Sequence, residues 1–211
     1  MNDPKPDPHS LPDLPLFPLQ SVLFPGAQLN LRVFEVRYLD LVSRCLREQQ
    51  PFGAICLRQG SELRSADEAV LLETTGVLAQ LEEVDAEQAG VLRVRCLGTH
   101  RFEIDEPAQQ ADGLWTARAW LIDDDALVAP AEAMVATVRA LANAIGALER
   151  KGGSPFLKPY RFDDAGWVAN RWCELLPISL AAKQKLMALE DPQMRLRLVD
   201  EYLRGKGVVS A

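Results

Sequence analysis

The sequence predicts an α+β fold: a β-rich, closed or nearly closed pseudo-barrel with one embedded helix, followed by a C-terminal α-helical bundle. Two observations carry this. Up to about residue 122 the apolar residues alternate in short runs broken by turn signals, and from about residue 131 they recur at three- and four-residue spacing. Between the two regimes lies Asp123-Asp124-Asp125, a polar break ending at Pro130. Six or so short strands around a single helix favour a barrel over a parallel sheet, which would need a helix between successive strands.

The first strand is expected over Leu16–Leu19. Leu23-Phe24-Pro25-Gly26 then makes a reverse turn, with Pro25 presetting φ and Gly26 supplying the positive φ of a type II turn. Gln28–Val33 reads as the next strand. Phe34, Tyr38, Leu41, Val42, Cys45 and Leu46 then share one face of a helix that Pro51 closes. Phe52–Arg58 is a largely apolar strand, and 59–67 is a polar loop. Val70–Leu72 and Gly76–Leu81 read as two strands, and Val91–Leu97 alternates Leu92, Val94 and Cys96 against Arg93 and Arg95. Gly98 marks a bulge before Arg101–Ile104. Leu114–Leu121, carrying Trp115 and Trp120, is the last strand.

In the second half, residues 131–148 form an amphipathic helix with Met134, Val135, Val138, Leu141, Ala142, Ile145 and Leu148 on one stripe. The stretch 152–155, Gly-Gly-Ser-Pro, ends it. Asp163 is expected to cap a helix burying Trp167, Val168, Trp172 and Leu175, and Pro177 to stop it. Ser179 caps the next, and Asp191-Pro192 starts the last, which runs to about Arg204. The domain plan is a flexible tail (1–13), a β-rich subdomain (14–122), a linker (123–130) and a helical subdomain (131–211).

The chain has 211 residues, 48% hydrophobic and 25% charged, with a formal net charge of −7. That length supports real cores, and the acidic balance disfavours nucleic acid or an anionic membrane as partner. No apolar run reaches the ~20 residues of a membrane span. The first thirteen residues hold four prolines and three aspartates and lack the pattern of a signal peptide, so a cytoplasmic location is expected. Cys45, Cys56, Cys96 and Cys173 are scattered without a CxxC pair, as reduced core thiols would be.

Leu14-Pro15-Leu16-Phe17-Pro18-Leu19 followed by Phe24-Pro25-Gly26 resembles the opening of the N-terminal domain of the ATP-dependent Lon protease family. Further similarities are Phe34-Glu35-Val36-Arg37 at a helix start, Gly76-Val77, and Val91–Gly98 followed by Arg101-Phe102. Leu175-Leu176-Pro177-Ile178-Ser179, Lys183-Gln184-Lys185-Leu186, Asp191 and Arg195-Leu196 extend the likeness through Leu203. The resemblance implies a PUA-like barrel and a non-catalytic substrate-recognition module. Its implied partners are unfolded or degradation-prone polypeptides and full-length Lon, with homo-oligomers as a further possibility and no cofactor. Gln20-Ser21 departs from the charged pair common at that spacer. No Gly-x-x-x-x-Gly-Lys-Ser/Thr loop occurs in these residues, so the family's ATPase and peptidase residues have no counterpart to carry over.

Chemistry read directly from the residues is sparse. Ser179 and Lys183 stand four apart, but a helix N-cap explains Ser179 better than a nucleophile. Cys96 and His100 sit about 13 Å apart along a strand, too far for a thiol–imidazole pair unless Gly98 folds the chain back. The aspartates 123–125 lack the spacing of a calcium loop, so no metal site is expected. Glu82, Glu83 and Asp85 read as surface charge. Recognition through exposed apolar side chains remains, with Phe17, Phe24, Phe34, Trp115, Trp120, Phe156 and Tyr160 as candidate binding residues. The alternatives are a small thiol-dependent hydrolase using Cys96 and His100, and a small-ligand binder using a cleft between the subdomains.

Overall fold

The computed structural model describes residues 9–60, 70–153 and 156–209. The chain divides into two compact units, 1–124 and 125–211. Residues 1–8 of the expected tail, the body of the 59–67 loop, and Ser154-Pro155 lie outside the described residues. Residues 10–13, expected as tail, instead extend the first strand back to Ser10, with Ser10 and Leu11 paired to the last strand of the sheet.

The first unit is built from β1 (Ser10–Leu19), β2 (Gln28–Val33), α1 (Val36–Glu48), β3 (Phe52–Gln59), β4 (Leu71–Gln88), β5 (Val91–Gln109) and β6 (Trp115–Leu121). The strand order is β2-β5-β4-β3-β1-β6, and an additional β5–β6 pairing closes five of the strands into a ring with β2 outside it. All pairings are antiparallel except β1 with β3, whose connection runs through β2 and α1.

The Phe-Pro-Gly turn forms as its residues dictate. The Ala27 amide donates to the Phe24 carbonyl at 3.0 Å, and Gly26 has φ +76°. Inside the ring, Leu14, Leu16, Ile55, Leu78, Phe102, Ile104, Ala117 and Ala119 make a continuous apolar core. Phe102 fills it so completely that a Cβ on Gly76 would lie 2.4 Å from the ring's Cζ and 2.6 Å from the Ala54 carbonyl oxygen. Tyr38, Leu41, Val42 and Cys45 are the buried face of α1, and Tyr38 stacks on Phe17 with centroids 4.0 Å apart.

Three expectations change here. The short strands of 70–81 are one strand of 18 residues, and 91–104 belongs to one of 19. Register shifts absorb the irregularities without breaking the strand, including one between Val77 and Ala79, opposite Gly98 to Arg101. Phe34 and Leu46 leave the buried face of α1: Phe34 precedes the helix, and Leu46 is one position past the buried stripe. They are 51% and 50% exposed.

The second unit comprises a 3₁₀ turn (Glu132–Met134), α2 (Val135–Arg150), α3 (Ala165–Leu175), α4 (Leu180–Ala188) and α5 (Pro192–Gly205). Residues Ala165 to Cys173 of α3 are all buried. Its cap is Asp164 rather than Asp163, accepting from the Gly166 and Trp167 amides at 3.0 and 3.4 Å. Ser179 and Asp191 cap α4 and α5 as expected. On α2, Val135 faces solvent while Thr137 is buried. Its hydroxyl donates to Asp200, and its carbonyl accepts from the Trp172 indole at 3.2 Å. Asp125, expected as solvated linker, is instead paired to the buried Arg195. Among the described residues no helix is long and apolar enough to cross a membrane.

Candidate functional site

Of the seven candidate residues, five belong to the first unit and two, Phe156 and Tyr160, to the second. Phe17 and Phe24 are core residues of the first unit, at 8% and 0% exposure. Trp115 and Trp120 lie five positions apart on β6, an odd spacing that sends them to opposite faces. Trp115 packs against the barrel core, while Trp120 is half-buried beneath the Arg118 guanidinium at 5.2 Å. Phe34 stands out at the β2–α1 junction beside the exposed Val36.

In the second unit the structure brings Phe156 and Tyr160 together through shared neighbours. Trp167 meets Phe156 edge-on, and Tyr160 and Phe162 pack beside it, with centroids 5.4 to 6.3 Å apart. The Arg171 guanidinium lies 5.3 Å from the Phe156 ring and is itself buried. Phe156 is the floor of this cluster. Tyr160 and Phe162 are half-buried and Leu157 is exposed. Tyr160 is anchored by its hydroxyl, which donates to Glu149 at 2.7 Å, and Lys158 lies over its ring. Leu157 and Phe162 carry no signal in the sequence, because a loop has no period to reveal which of its side chains face out.

The groups considered for nucleophilic chemistry are held apart or masked. Cys96 is fully buried, and burial pushes its thiol up to about 12. The His100 Nδ1 is 2.9 Å from Asp124 Oδ1 at the surface. Lys183 donates to the Glu174 carbonyl, while the Ser179 hydroxyl accepts from the Ala182 amide. Among the described residues no group of three or more His, Cys, Asp or Glu could hold a metal ion.

Two features of the first unit had no sequence signal. A shallow groove of about 470 Å³ runs beside Leu11, Pro12, Leu14 and Pro15 of β1 and Pro51 ahead of β3. It arises because β3 pairs with β1 only from Leu16 onward. The second feature is the outer edge of β2, whose one strand neighbour among the described residues is β5.

This arrangement, a ring of strands with an apolar core followed by a helical unit, coincides with a known family. The family model for the ATP-dependent protease La (LON) substrate-binding domain matches residues 13–205. The chain belongs to that family. It is 25% identical over 188 residues to a Lon protease of Parabacteroides distasonis, a match covering 86% of this chain and 22% of that protein's length. The chain thus spans about a fifth of that Lon protease. A crystal structure of a Lon N-terminal domain protein from Xanthomonas campestris shares 31% identity at a TM-score of 0.69, covering 91% of this chain and 99% of that one. The N-terminal domain of a Mycobacterium avium complex Lon protease has the same fold at 15% identity and a TM-score of 0.61, covering 90% and 97%. The relation to Lon accounts for the Leu-Pro-Leu and Phe-Pro-Gly opening, which builds β1 and the turn that docks on Gly98.

Proposed function

We propose that this chain is a non-catalytic polypeptide-binding module of the Lon type, selecting unfolded or degradation-prone polypeptides in the cytoplasm. It would act either as an adaptor or as a competitor toward full-length Lon. The observation that carries the reading is the match of the substrate-binding family model to nearly the whole chain. The burial of every cysteine and the engagement of His100 by Asp124 favour recognition over thiol chemistry. Exposed apolar side chains are what distinguish a surface made for unfolded chains from an ordinary one. The candidate contacts on this reading are Phe34 and Trp120 in the first unit and, separately, Tyr160 in the second, each exposed or half-buried.

The test is fluorescence anisotropy of a labelled, alkylated, permanently unfolded protein titrated with the purified chain, with the folded form of the same protein as control. Selective binding of the unfolded form is expected. A parallel titration into full-length Lon follows degradation of that substrate, which should rise for an adaptor and fall for a competitor. Equal or absent binding of folded and unfolded forms removes the reading.

A further inference from the structure

We infer that the outer edge of β2 is a strand-addition site, at which an extended, acidic polypeptide segment pairs antiparallel or parallel to Gln28–Val33. The inference rests on the polypeptide-binding function and names where and how one class of ligand docks. Its starting point is the hydrogen-bond phase of β2. The Gly98 amide donates to the Ala27 carbonyl at 2.8 Å, and the β2–β5 register continues without a shift from Gln28↔Leu97 to Val33↔Leu92. Main-chain groups along an antiparallel strand alternate between its two sides. Leu29, Leu31 and Val33 therefore bond to β5, while the amides and carbonyls of Gln28, Asn30 and Arg32 point away from the sheet. No strand among the described residues meets them.

Other one-sided stretches of this unit carry the usual guards against strand addition. The first half of β1 has Pro12 and Pro15. The distal half of β4 has Glu82, Glu83, Asp85 and Glu87, and the end of β5 has Asp105, Glu106 and Pro107. The edge of β2 has neither proline nor carboxylate. Its one charge is Arg32.

Charge then selects the occupant. Arg32 and Arg93 are direct cross-strand partners, a like-charge pairing that disfavours the sheet. Arg93 has a carboxylate of its own opposite it on β4, Asp85, whereas Arg32 at the edge is served by Glu87 at 3.1 Å, which also lies 3.8 Å from Arg93. A strand laid along β2 with a Glu or Asp beside Arg32 supplies that arginine with a second carboxylate while taking up the outward amides and carbonyls. A second copy of this chain is a poorer occupant. β2 holds no acidic residue, and antiparallel self-pairing centred on Asn30 sets Arg32 against Gln28. The ligand class is thus an extended segment with an acidic residue among β-forming ones.

The experiment uses the full chain and two labelled ten-residue peptides of alternating valine and threonine, one with a central glutamate and one with lysine there. The glutamate peptide should bind about fivefold more tightly, the range of an exposed ion pair. Arg32→Glu should reverse that order. Asn30→Pro removes one outward donor and leaves the β5 ladder intact, and should weaken the glutamate peptide about tenfold. Amide exchange at Asn30 and Arg32 should slow on binding. The inference is overturned if both variants bind the glutamate peptide as the parent does, or if the peptides bind equally. It is also overturned if sedimentation shows β2-dependent self-association that excludes peptide. If the parent binds the unfolded protein of the preceding section while these variants behave as the parent, the site is wrong and the function stands. If the parent binds neither peptide nor unfolded protein, both fall.

Discussion

Asp125 and Arg195 lie seventy positions apart and meet as a two-pronged ion pair, with the guanidinium 1% exposed. Arg195 also donates to the Asn170 amide oxygen and to the Leu186 and Leu189 carbonyls, so one side chain ties together the entry of the helical unit, α3 and the α4–α5 turn. Removing one partner leaves a buried cation unpaired, which costs about 3–5 kcal/mol. Asp125→Ala is expected to lower the stability of the second unit by that amount. Hydrogen exchange of the α3 and α5 amides, read against the barrel amides as internal reference, checks it.

Gly166 adds a second test of the same junction. A Cβ there would lie 2.7 Å from the Asp125 carboxylate, so Gly166→Ala must push that oxygen off Arg195. Its cost should be sharply reduced in the Asp125→Ala background, because the displaced group is then gone. A double-mutant cycle by urea denaturation measures that coupling, and additive effects would refute it.

Glu174 gives the helical unit an unusual pH dependence. Burial raises its carboxyl to about 7, against the opposing pull of Arg171 and Lys183. Between the ordinary carboxylate range and pH 7 the folded form holds a proton that the unfolded chain has released. Stability from this group is therefore complete below about pH 4.5 and is lost as the pH rises through 7. Glu174→Gln should match the parent near pH 4 and become relatively more stable by pH 8. Denaturation midpoints at the two pH values test it, and parallel curves would sink it.

Much of the architecture was legible because turn and cap chemistry is local. Phe24-Pro25-Gly26, Ser179 and Asp191-Pro192 each need only their own neighbours to act, and each sits where its residues place it. The long strands were not legible, because Gly76 and Gly98 look like breaks in a linear reading. In space they are clearances: a Cβ on Gly98 would lie 2.6 Å from the Phe24 carbonyl oxygen. Asp125 resembled its solvated neighbours, since nothing near it in sequence reveals a partner on α5. The candidate binding residues were the least legible of all. Aromatic residues serve core and surface alike, and Phe24 and Phe34 differ only in what the fold lays over them.

The four thiols supply a direct check on the thiol-hydrolase alternative. Burial raises Cys56 to about 11 and Cys96 and Cys173 to about 12, and Cys45 is also raised. A thiolate is the reactive form, so none should react appreciably in the folded protein at pH 8. Timed alkylation followed by mass spectrometry should label all four only in denaturant. One rapidly labelled cysteine under native conditions would revive the hydrolase alternative.

Phe24 and Phe34 separate the core role of an aromatic residue from a binding role. Phe24 is fully buried at the turn that docks on Gly98, so Phe24→Ala should cost about 3–5 kcal/mol in the barrel. Any loss of polypeptide binding would then track unfolding. Phe34 is 51% exposed, and Phe34→Ser should shift stability by no more than about 0.5 kcal/mol. If it contacts the ligand, affinity for the unfolded protein should fall several-fold while the melting curve stays in place. Unchanged affinity in a fully folded Phe34→Ser protein would remove this residue from the binding surface and leave Trp120 and Tyr160 as the aromatic contacts to test by the same pairing of melt and titration.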